Sequence, residues 1–90
     1  MSIKIQIPTL LREHAGGKTT VEAKGDTVKT ALDDLCARFP ALAAKIFDRG
    51  EVRMHLNVYL NSEDIRYLDE LATKTKDGDE LDIIPAVAGG

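Results

Sequence analysis

Ile3, Ile5 and Ile7 alternate with Ser2, Lys4 and Gln6, the period of two that a strand shows when one of its faces is buried. Pro8 has no N–H to give a neighbouring strand, so this strand stops there. Residues 9–18, TLLREHAGGK, contain Gly16 and Gly17 and read as a connection to a second strand at Thr19–Ala23, where Val21 and Ala23 alternate with Thr20 and Glu22. The two strands are expected to form a hairpin.

The period then changes. Val28, Ala31, Leu32, Leu35, Cys36 and Phe39 recur at the helical spacing, which predicts an amphipathic helix over about 27–39 with a core-facing stripe. Asp26 or Thr27 supplies its N-cap, and Pro40 disfavours helical geometry at Phe39. Pro40 in turn suits the first turn of a second, short helix through ALAAKIF that ends near Gly50. Leu56, Val58 and Leu60 alternate with His55, Asn57, Tyr59 and Asn61 and predict a third strand. A turn is expected at Asn61–Asp64 and a short edge strand within Ile65–Leu71. Lys76, Asp77, Gly78 and Asp79 form a turn signal before a last strand, Glu80–Ile84, with Leu81 and Ile83 on one face.

Strand, strand, helix, strand, strand is an α+β order. Both ends of the chain lie in strands, and a natural arrangement pairs the first and last in the middle of a mixed four- or five-stranded sheet, with the main helix across one face. That is the β-grasp architecture. It assigns 1–85 to one domain and 86–90 to a flexible C-terminal tail.

Composition narrows the chemistry. Ninety residues that are 43% apolar support a single small core, which aliphatic side chains must build because there is no Trp and only two Phe and two Tyr. Twelve basic against fifteen acidic residues, interspersed to a net charge of -3, leave no electrostatic footprint for nucleic acid. No apolar stretch approaches membrane-spanning length, so no membrane partner is expected. The opening MSIKIQIP lacks a secretory h-region and Cys36 has no second cysteine to pair with, so a reducing, cytoplasmic setting is expected.

The usual carriers of catalysis fall away in turn. Cys36 lies on the apolar helix stripe, where a thiol is a small hydrophobe of normal or raised pKa. His14 and His55 have no companions at metal-ligand spacing and read as surface residues. Asp33 and Asp34 point in different directions on a helix, Glu63 and Asp64 sit in a turn, and solvated charge is the reading for both pairs. Gly16 and Gly17 do not make a phosphate loop. With no catalytic residue and no metal site emerging, the end of the chain remains: past Pro85 the residues are Ala86, Val87, Ala88, Gly89 and Gly90, narrowing toward a free carboxylate. Gly-Gly lets a backbone lie fully extended against a channel wall. The alternative is a frayed end.

The element order, the turn KDGDEL and the ending IIPAVAGG together resemble the MoaD/ThiS family of ubiquitin-like sulfur carrier proteins, over essentially the whole chain. The resemblance implies that an E1-like adenylyltransferase/sulfurtransferase uses Mg-ATP to adenylate the Gly90 carboxylate, that sulfur displaces AMP to leave a thiocarboxylate, and that residues Ala86 to Gly90 enter a partner's active site. The protein is then a cosubstrate, not an enzyme, and binds no cofactor itself. IPTLLREHAGG, NVYLNSEDIRYL and PAVAGG look most like carriers that feed cysteine synthases, where the thiocarboxylate attacks an aminoacrylate on pyridoxal phosphate and a metal-dependent peptidase releases the product. The small subunit of molybdopterin synthase, acting with its large subunit, is the competitor; such chains often carry an aromatic pair before PPVxGG, where Ile83, Ile84 and Ala86 stand here. Thiamin-pathway carriers are a third branch. A ubiquitin-like modifier joined to lysines is a separate functional class, and a plain interaction domain with a slack tail is another.

Strand parity locates the expected partner surface. If Leu81 and Ile83 face the helix, Ile84 faces the other side of the sheet, and so does Tyr59 beside inward Val58 and Leu60. Ile65 is expected to join them, with Arg66 as a polar rim; a cluster of exposed apolar groups near a reactive end is a docking site.

Overall fold

The computed structural model describes residues 2–86. Two strands from opposite ends of the chain lie side by side at its centre: β1 (Ser2–Gln6) runs parallel to β7 (Glu80–Pro85), with Ile5 beside Leu81. β2 (Thr20–Lys24) pairs antiparallel with β1, β5 (Leu56–Leu60) antiparallel with β7, and β6 (Glu63–Asp64) with β5. The sheet order is therefore β2-β1-β7-β5-β6. Alternation puts Ile3, Ile5, Val21, Ala23, Leu56, Val58, Leu60, Leu81 and Ile83 on one face. That face packs on α1 (Val28–Arg38), which contributes Val28, Ala31, Leu32 and Leu35, while α2 (Pro40–Ile46) adds Leu42 and Ile46. This is the β-grasp arrangement, with the end strands paired in the middle as the sequence led us to expect.

Local chemistry explains where the elements begin and end. Thr27 caps α1: its hydroxyl accepts from the Thr30 N–H at 3.1 Å, and the Thr30 hydroxyl accepts from the Thr27 N–H at 3.0 Å, a reciprocal pair that occupies two otherwise unbonded donors. Gly25 precedes the cap because the chain passes so close to α1 that a Cβ there would overlap the Ala31 backbone. The KDGDEL turn is bonded at both aspartates. Asp77 accepts from the Ser2 N–H at 2.9 Å, and Gly78, at φ 90°, donates to the Ser2 carbonyl. Asp79 accepts from Asn61 Nδ2 at 3.0 Å and from the Lys76 N–H at 2.7 Å.

Three segments differ from the sequence expectation. Thr9–Ala15 is a 3-10 helix, not a bare connection; it buries Leu11 and Ala15 and ends at Gly16 with φ 66°. The stretch after α2 makes a small hairpin of β3 (Phe47–Asp48) and β4 (Glu51–Val52), turning at Arg49 and Gly50. The edge strand lies at Glu63–Asp64, inside the expected turn, whereas Ile65–Tyr67 and Glu70–Ala72 are 3-10 turns. The reversal is compressed into Asn61 and Ser62, at φ 50° and 73°, so pairing resumes sooner than a four-residue turn would permit.

Two outcomes follow from this packing. Leu81 is 0% exposed at the centre of the sheet, so Leu81→Ala should lower unfolding free energy by about 2–5 kcal/mol in a denaturant titration; a loss well under that range would contradict its central place. The Asn61 hydrogen bond, helped by the Lys76 N–H, holds the Asp79 carboxyl below the usual carboxylate range against its partial burial. A depressed folded-state pKa gives stability that is full above the unfolded carboxylate pKa, about 3.9, and lost as pH falls through the folded value. Asp79→Asn should therefore be less stable than wild type at neutral pH, with the gap closing in acid; a gap that stays constant with pH would refute this linkage.

Candidate functional site

The parallel ladder ends before β7 does. β1 stays in register with β7 through Gln6 and Asp82, and Pro8, without an N–H, cannot carry the pairing further. β7 continues against β5 alone, with Ile83 opposite Val58, Ile84 opposite Asn57 and Pro85 opposite Leu56. The Ala86 N–H then donates to the His55 carbonyl at 2.7 Å, the last hydrogen bond before the described chain ends. Of the tail residues singled out in the sequence, half-buried Ala86 is described, and Val87, Ala88, Gly89 and Gly90 lie outside the described residues.

The sheet face opposite α1 has no helix on it among the described residues. Ile84 stands on it, 42% exposed, with half-buried Tyr59 as its diagonal neighbour across the β5–β7 pair. Ile65 does not join them. It is 5% exposed and belongs to the core, because Asp64 caps the 3-10 turn by accepting from the Arg66 N–H and so turns Ile65 inward. The expectation that Ile65 lies on the partner surface is thereby corrected. Arg66 is exposed but committed to Asp64, Nη2 to Oδ2 at 2.7 Å. The Arg66 hydrogen bonds hold the Asp64 carboxyl below its ordinary range, and the carboxylate holds the guanidinium above its own.

Around Ile84 the open face is polar and rich in carboxylates. Lys4 stands between Glu22 and Glu80 in register, and Gln6 and Tyr59 flank Asp82. Burial, then the charge of Glu80, pushes the Asp82 carboxyl above the usual carboxylate range. One contributor was invisible in the sequence. Leu10 is 63% exposed on the 3-10 helix beside the end of β7, where a groove of about 520 Å³ runs between them. Its segment looked like a connection, and the only available signal was an unaccounted leucine beside Leu11.

The remaining candidates are structural or solvated. Cys36 is half-buried against the core, and burial, then Asp33, pushes its thiol up and away from the reactive thiolate. Half-buried His14 lies 3.8 Å from the Glu13 carboxylate, while His55 is exposed and bonds the end of β7 through its backbone carbonyl. Asp33 pairs with Lys29 at 2.7 Å, and Asp34 with Arg38 at 3.2 Å and with the Lys24 N–H.

Comparison with known proteins converges on one group. The model of the ThiS family matches residues 5–90. The chain is 41% identical to sulfur carrier protein CysO of Mycobacterium tuberculosis, and 35% identical to small archaeal modifier protein 3 of Haloferax volcanii, each match covering 100% of both chains. Among solved structures it superposes on a chain of the Amycolatopsis orientalis BexX/CysO complex with a TM-score of 0.91 and 44% identity, covering 98% of this chain and 99% of that one.

The contrast between the two isoleucines is measurable. Ile84→Asp should change stability by less than about 1 kcal/mol, whereas Ile65→Asp buries an unpaired charge and should remove most of the cooperative transition. Equal losses in the two variants would show that Ile84 is not on an open face.

Proposed function

The chain belongs to the ThiS family, and from that membership we propose that it is a sulfur carrier protein whose working group is the Gly90 carboxylate. The observation that carries this reading is the end-to-end similarity to a protein named as a sulfur carrier, joined to an ending in Gly89-Gly90 a few residues beyond the central strand of the sheet. A carboxylate is a poor electrophile. An E1-like enzyme supplies Mg-ATP, a Gly90 carboxylate oxygen attacks the α-phosphorus, and pyrophosphate leaves. A sulfur nucleophile then displaces AMP from the acyl carbon, and the resulting thiocarboxylate is a far stronger nucleophile than the carboxylate it replaces.

In this mechanism the β-grasp body is the handle and residues Ala86 to Gly90 are the part that enters partner active sites. Ile84, Tyr59 and the Arg66 edge of the open face supply contacts to those partners. The acceptor we favour is a cysteine synthase, in which the thiocarboxylate adds to an aminoacrylate held on pyridoxal phosphate and a metal-dependent peptidase frees the product. Support for that branch is the PAVAGG ending and the similarity to a CysO chain. A relative solved in complex with BexX supports action through partner enzymes. The similarity to a protein named as a modifier favours a second reading, in which the same acyl-adenylate is captured by a lysine amine instead of sulfur.

Intact-mass measurement decides among these. Incubated with ATP, a sulfur donor and the E1-like enzyme of the same cells, the protein should gain the mass difference between sulfur and oxygen, located on the peptide ending at Gly90. Deletion of Gly90 should abolish the gain, and retained sulfur transfer by that deletion would sink the proposal. Gly90 bonded to a lysine of another protein, with no thiocarboxylate formed, would turn the assignment to the modifier.

A further inference from the structure

β2 is an end strand of the sheet, so its outward backbone groups have no strand to meet. The Ile7 N–H donates to the Thr19 carbonyl, which fixes the antiparallel pair with β1 so that the odd-numbered residues of β2 turn their backbone groups inward. Thr20, Glu22 and Lys24 therefore turn their N–H and C=O groups outward, while their exposed side chains stand on the face away from α1. The opposite edge of the sheet is β6, only two residues long. β2, with five residues, is the edge on which another strand could add.

Two side chains of α1 reach this edge and occupy it. Asp34 Oδ2 accepts from the Lys24 N–H at 2.9 Å, and Arg38 Nη2 donates to the Glu22 carbonyl. The same two groups bond each other, Nη2 to Oδ2 at 3.2 Å, one helical turn apart. Both side chains are partly open to solvent, so their ion pair by itself contributes little to stability. Its effect on the edge is larger. An N–H and a C=O that an added strand would need are each bonded to an ionised partner, and such bonds are stronger than the neutral ladder bonds that would replace them.

We propose that Asp34 and Arg38 form a clip that closes β2 against a second copy of this chain, and that β2 is the self-association surface uncovered when the clip is released. Register selects a second copy as the occupant. Antiparallel pairing of two β2 strands about a two-fold axis sets outward residues opposite outward residues, so Glu22 meets Thr20, Glu22 or Lys24 of the other copy. Opposite Thr20 its charge is unmatched, and opposite Glu22 like charges meet. Opposite Lys24, unlike charges meet twice about the axis, on an exposed face where none of the ion pairs among the described residues engages either side chain. That register joins the N–H and C=O of Glu22 to those of Lys24. The Glu22 carbonyl and the Lys24 N–H are the groups that the clip holds. This surface is independent of any chemistry at Gly90.

The test is sedimentation equilibrium of the full-length chain. Wild type should be monomeric, and the double variant Asp34→Ala/Arg38→Ala should dimerise with an association constant at least about tenfold higher, because both copies lose their competing bonds. Adding Glu22→Pro, which removes an outward N–H that no strand of the sheet uses, should return the double variant to monomer. Adding Lys24→Glu instead should weaken the dimer by setting carboxylates opposite each other. Denaturant midpoints establish that each variant is folded. A wild type that is already dimeric overturns the clip, and a folded double variant that stays monomeric overturns the surface beneath it. A dimer indifferent to Glu22→Pro or to Lys24→Glu pairs elsewhere and overturns it as well. Hydrogen exchange tests the clip without any variant: corrected for intrinsic rates, the Lys24 amide of wild type should exchange about tenfold more slowly than the Glu22 amide. Equal protection of the two amides counts against the clip.

Discussion

The parallel contact between β1 and β7 is the constraint on which the molecule depends. It joins residues almost eighty positions apart in a chain of 90, so its loop-closure cost is high, and the contact forms only because both strands bring apolar faces to one core. Ile3, Ile5 and Ile7 meet Leu81 and Ile83 there, and the other strands pair outward from that centre. The KDGDEL turn fixes the register by bonding Asp77 and Gly78 to Ser2 at the start of β1 and Asp79 to Asn61 at the end of β5. A turn that looks like a local signal is in fact a three-way junction.

That junction also sets the direction in which β7 leaves the sheet. β7 enters the sheet with neighbours on both sides and leaves it with β5 alone, because Pro8 ends β1 early. One side of the departing strand is thus left open beside the 3-10 helix, and the surface next to the tail is shaped by where pairing stops. The site is a consequence of two prolines, Pro8 and Pro85, that cannot donate to a ladder, and of the alternation that sends Ile84 away from the core.

Much of this was legible in the sequence. The alternation in β1, β2, β5 and β7 and the helical stripe of α1 are physical periods long enough to read without tertiary context, and Thr27 caps α1 as one of two candidates. Segments without a period were not legible. Thr9–Ala15 has only Leu11 and Ala15 to bury, and β3, β4 and β6 are two residues each, too short to alternate. Ile65 was misplaced for the same reason: its direction is set by the Asp64 cap and the Arg66 clamp, not by any strand parity. The open face of the sheet was half legible, since parity places Ile84 and Tyr59 on it but nothing in a seven-residue 3-10 helix announces that Leu10 points to solvent.

The bonds between Ser2 and the Asp77–Gly78 turn place the amino end of the chain at the start of β7. Since β1 and β7 are parallel, that point is separated from Ala86 by the length of a six-residue strand, roughly 20 Å. Anything added ahead of Met1, whether a purification handle, a surface tether or a second folded domain, therefore emerges at the pole of the sheet opposite Pro85. The architecture is suited to being held from behind, and a linker that joined Ser2 directly to Ala86 would have to cross the whole sheet.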